Sequence, residues 1–70
     1  MNKQEFMENI ECVVKGSKEA FENDKPAIRL LFSSMIDNYS KDGLITDAQA
    51  QNWILTDREL NKLIKISKGN

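Results

Sequence analysis

Apolar residues recur three and four positions apart along this chain, and nowhere do they alternate with polar ones long enough to argue for a strand. In the first third they fall at Phe6, Met7, Ile10, Val13, Val14, Ala20 and Phe21. That spacing lays a broad apolar stripe along one side of a helix. Asn2, with Glu5 three residues on, is placed to cap its start. Gly16 disfavours helix by ~1 kcal/mol, which allows a kink or a split with Ser17 capping a short second piece, but one helix over residues 3–23 is the favoured reading. Asp24 and Pro26 form a second start signal, because proline fits a first helical turn. Ile28, Leu31, Phe32, Met35, Ile36 and Tyr39 then share a face, and Gly43 stands where a left-handed cap would end that helix. Thr46 with Gln49, and Thr56 with Glu59, read as two capping boxes, Leu55 and Leu60 adding a hydrophobic staple to the second. They open helices over Asp47–Ile54 and Asp57–Ser67. The chain is predicted to be all-α, a small three- or four-helix bundle forming one domain over residues 1–70. Phe6, Ile10, Val13, Ile28, Phe32, Met35 and Leu63 are the expected core.

With 70 residues, such a domain buries only ~60% of the surface its unfolded chain exposes. Small domains often add disulfides, a metal or self-association. Cys12 is the only cysteine and histidine is absent, which excludes an internal disulfide and removes the commonest transition-metal ligand. Burial against another protein, or against a second copy in a homodimer, is the remaining route. A lone cysteine, together with an opening MNKQEF that lacks a signal peptide's apolar core, points to the reducing cytoplasm. No apolar run is long enough to span a membrane. Residues 1–24 hold three lysines against six carboxylates, a net of −3, whereas residues 46–70 hold four cations against three carboxylates, a net of +1. The acidic first half argues against a nucleic-acid coat.

No catalytic constellation emerges. A Ser or Cys nucleophile would lack its usual histidine base, and Glu5, Glu8 and Glu11 step around the outer side of an amphipathic helix. Cys12 lies away from the apolar stripe beside Glu8 and Glu11, whose charge opposes thiolate formation. The chain therefore reads as a protein with no catalytic residues, metal or cofactor. Residues Asn38 to Gln49 overlay the twelve positions of an EF-hand loop, with Asn38, Ser40 and Asp42 at one, three and five. Position twelve, however, is Gln49 where calcium needs a bidentate Glu, so no calcium binding is expected. A helix-turn-helix is the other pattern, formed by the helix around Asp47–Ile54 and a last helix bearing Arg58, Lys62 and Lys65. Its turn lacks glycine, and Asp57 and Glu59 would confront phosphates.

Leu30 lies opposite the stripe of its own helix, beside Ser34, Asp37 and Lys41. Ile66 is turned well away from Leu60, and Trp53 stands on a helix of barely two turns. Leu30, Trp53 and Ile66 are the candidate partner-binding residues. The stretch YSKDGLITDAQAQNWI, residues 39–54, resembles a helix-turn-helix hairpin of small uncharacterised helical proteins encoded by bacteriophages and mobile elements of Gram-positive bacteria. The resemblance implies an accessory protein that binds a host protein and inhibits or modulates it. The function expected is protein binding without catalysis, with a DNA-binding regulator as the alternative.

Overall fold

The computed structural model describes residues 1–69. Among them are five helices and no strand: α1 Lys3–Gly16, α2 Lys18–Phe21, α3 Lys25–Lys41, α4 Asp47–Asn52 and α5 Asp57–Ser67. The all-α class is as predicted, but there are more helices than the three or four expected.

The extra helix comes from a break at Gly16 and Ser17, where one continuous helix had been expected. Ser17 has φ −138° and ψ 45°, outside the helical region, and its N–H donates to the Val14 carbonyl at 3.2 Å. Its hydroxyl caps nothing, so the break is a backbone event at the residue with no side chain and its neighbour. A straight helix over residues 3–23 would run ~31 Å, about twice the length of the 11-residue α5. Breaking it folds α2 back against α5 and α3, and brings Phe21 onto the core.

The other boundaries follow their local caps. Asn2 accepts from the Glu5 N–H at 2.8 Å, and Asp24 from the Ala27 N–H at 3.1 Å. After α3 the chain reverses through Gly43 at φ +76°, a conformation that costs glycine little. The Leu44 N–H returns to the Tyr39 carbonyl at 2.9 Å and the Gly43 N–H to that of Ser40 at 3.1 Å, the paired bonds of a Schellman cap. Both capping boxes form. Helix α4 ends at Asn52, two residues short of expectation, because Trp53 turns extended at φ −75° and ψ 127°. Side chains alternate sides in extended chain; Trp53 and Leu55 pack on the core while Ile54 is 65% exposed.

The core consists of Phe6, Ile10, Val14, Ile28, Phe32, Met35, Leu60, Leu63 and Ile64. The ring of Phe6 meets those of Phe32 and Tyr39 edge-on, at 5.5 and 5.3 Å, and that of Trp53 at 5.4 Å. Ser67 is buried and links two distant corners. Its hydroxyl donates to the Ile64 carbonyl at 2.7 Å and accepts from the N–H of Asn23, which turns the chain between α2 and α3 at φ 51°.

One expected core residue is displaced. Val13 is 38% exposed and Val14 is wholly buried. Phe6, Ile10 and Val14 form an i, i+4 line, and at about 100° per residue Val13 lies roughly 60° to one side of its centre at Ile10 and about 100° from Val14. Val14→Ala should therefore cost about 2 kcal/mol in urea unfolding, whereas Val13→Ala should stay within about 0.5 kcal/mol of the parent.

Candidate docking surface

Helices α1 and α5 pack side by side, and an open groove of about 440 Å³ runs between them. Half-buried Met7 and fully buried Leu63 form its floor. Gln4, Glu8 and Glu11 make the α1 rim, and Lys62 the α5 rim. Two ion pairs join the helices across it. Lys3 Nζ meets Glu59 Oε1 at 3.1 Å, with both side chains about one-third exposed or less, and Lys62 Nζ meets Glu11 Oε1 at 2.8 Å. The Lys62 side chain is 67% exposed, so water and salt screen that pair. Its hydrogen bond to Glu11 holds the Lys62 ammonium above its ordinary range, and Glu8 adds to the effect.

Glu59 has two tasks. It closes the α5 capping box by accepting from the Thr56 N–H at 2.9 Å, and it receives Lys3 from a helix 56 positions away in sequence. Its carboxylate is thus turned back into the molecule, unlike the outward placement expected on a recognition helix.

The three residues singled out in sequence do not form one surface. Leu30 is 68% exposed on the side of α3 opposite its buried residues Ile28, Phe32 and Met35. Trp53 and Ile66 are half-buried and packed against the core. Ile66 lies one turn beyond Lys62 on α5. Two exposed apolar residues were missed. Ile54 had been placed in a helix that in fact stops before it. Leu44, 49% exposed, follows Gly43 in the α3–α4 turn, while its neighbour Ile45 is buried. A Gly43 cap with two apolar residues behind it was the available signal, since the chain can turn only one of them inward.

The other motifs are resolved by geometry. Asn38 and Ser40 belong to α3, and the Gln49 carboxamide accepts from the Thr46 N–H while donating to the Met1 carbonyl at 2.9 Å. The twelve-residue calcium loop therefore does not form. Helix α4 rests on α3 and not on α5, so α4 and α5 are not the packed pair of a helix-turn-helix. Cys12 is exposed. Among the described residues no cluster of His, Cys, Asp and Glu could hold a metal ion, and no helix is long and apolar enough to cross a membrane. Comparison with family models, with curated proteins and with solved structures gives no match.

Glu59 makes this surface sensitive to acid. Burial alone would push its carboxyl up, but the Thr56 backbone N–H and Lys3 more than offset that and hold it below its ordinary 4.5. A depressed carboxyl adds stability that is present above the unfolded-state value and lost as pH falls through the folded-state value. Glu59→Gln keeps a hydrogen-bonding group in the box but loses the charge. It should therefore destabilise at neutral pH by under ~1 kcal/mol, and the gap to the parent in urea unfolding should close as pH falls below 4.5.

Proposed function

We propose that this chain is a non-catalytic binding module that docks a partner protein, with Leu30 on the outer face of α3 at the centre of the contact. The observation that supports it is the apolar surface left outside a small core. Leu30, Ile54 and Leu44 are each about half exposed or more, against ten buried apolar residues. A Leu at such a position removes apolar area from water only when something covers it, at ~25 cal/mol per Å². Its helix neighbours Ser34, Asp37 and Lys41 would supply the polar rim of that contact. The resemblance of residues 39–54 adds an origin to this reading: a phage or mobile-element accessory protein acting in the cytoplasm, which inhibits or modulates a host protein by occupying its surface. Self-association through the same face is the homodimeric form of the proposal.

A DNA-binding regulator is the second reading, and one observation favours it. Arg58, Asn61, Lys62 and Lys65 line a shallow depression on the outer side of α5, where phosphates could be met. The separation of α4 from α5 and the negative charge of Glu11 beside Lys62 weigh against it.

Capture from bacterial lysate, with the parent chain, Leu30→Asp and Lys62→Glu/Lys65→Glu as baits, separates the two. The protein-binding reading expects a retained protein that Leu30→Asp loses, with helicity by circular dichroism unchanged. Retention of duplex DNA that weakens steeply with salt, and that the lysine variant abolishes, would reverse the ranking.

A further inference from the structure

The break between α1 and α2 is a hinge of one residue, Ser17. We propose that two copies of this chain exchange α1 through it, giving a dimer in which α1 and α2 run as one continuous helix. In that dimer α1 of each copy packs on α3 and α5 of the other. The contact is distinct from the Leu30 face and does not depend on it.

Little holds the hinge in its broken form. Its hydroxyl caps nothing, and a side chain added at the neighbouring Gly16 would meet open space. The sequence across it favours helix. Phe21 follows Val14 by seven residues and so prolongs the stripe of Phe6, Ile10 and Val14. Lys15 and Glu19 stand four apart across Ser17, where a continuous helix would pair them. Local preference thus asks for one helix, while packing asks α1 and α2 to lie separately on α5. Exchange between two copies satisfies both. Helix α2 keeps its seat, held at its far end by the bond from the Asn23 N–H to the buried Ser67 hydroxyl. Helix α1 continues along the axis of α2 into the second copy. The joined helix spans ~31 Å, close to the 32 Å long dimension of the molecule, so it reaches from one body into the next. Short hinges between packed elements favour such exchange. The occupant fits because it is the same segment: Phe6, Ile10 and Val14 refill the core, Lys3 meets Glu59, and Glu11 meets Lys62, now between copies.

Two full-length variants, Glu11→Lys and Lys62→Glu, test the exchange. Alone, each sets like charges on α1 and α5. In an exchanged heterodimer the new lysine of one chain faces the new glutamate of the other, and the native Glu11 and Lys62 face each other, so both contacts are restored. The two chains, one isotope-labelled, are refolded together from urea at ~1 mM and weighed by native mass spectrometry. Heterodimers should outnumber the two homodimers together at least ~threefold, where random pairing gives equal amounts. The hinge is tested separately in the otherwise unchanged chain. Alanine is favoured over glycine about fivefold within a helix, and each dimer contains two hinges, so Ser17→Ala should dimerise about 25-fold more tightly than Ser17→Gly. Leu30→Asp should leave this dimer intact. The proposal is overturned by chains that stay monomeric at ~1 mM, by heterodimers in random proportion, by dimerisation indifferent to Ser17, or by a dimer that Leu30→Asp abolishes.

Discussion

Phe6 is the side chain through which α1 meets both α3 and the connector after α4. It leaves α1 on the buried side, meets Phe32 and Tyr39 of α3 edge to face, and lies 5.4 Å from Trp53, which carries the chain from α4 to α5. Each such aromatic pair is worth ~0.5–1.5 kcal/mol beyond the area it buries. One ring therefore couples the first helix, the longest helix and the connector after α4. Because Trp53 spends its ring on Phe6, it is held as a wall of the core and stands only half open to a partner.

Much of the fold is legible locally. Caps at Asn2, Asp24, Thr46 and Thr56, and the left-handed Gly43, depend on side-chain and backbone atoms within a few residues of one another. Such features can be read before any tertiary contact is known. The break at Gly16 is different. Glycine is tolerated within a helix, and what decides against continuation is that the next turn packs better folded back on α5. Val13 and Val14 are equivalent by hydropathy, and the helices packed against α1 choose between them.

Candidate surfaces were less legible for the same reason. Leu30 could be found because a helix has one predictable outer side. The α1–α5 groove lies between elements 40 or more residues apart, and the link from Lys3 to Glu59 cannot be inferred from either segment alone. Glu59 shows the limit well: its capping role is written in the spacing from Thr56, while its ion pair exists only in the fold. Through that one carboxylate the start of α5 is tied to the start of α1, and the rim of the groove inherits the rigidity of a helix cap.

The packing of α1 stands or falls with Phe6. The decisive measurement is urea unfolding of Phe6→Ala followed by circular dichroism and by Trp53 fluorescence. The structure predicts a loss of about 3–5 kcal/mol, a large share of the ~4–10 kcal/mol available to a domain of this length, with both probes reporting one joint transition. A loss below about 1 kcal/mol, or loss of the Trp53 signal while the helices stay folded, would contradict the claim that this ring holds the elements together.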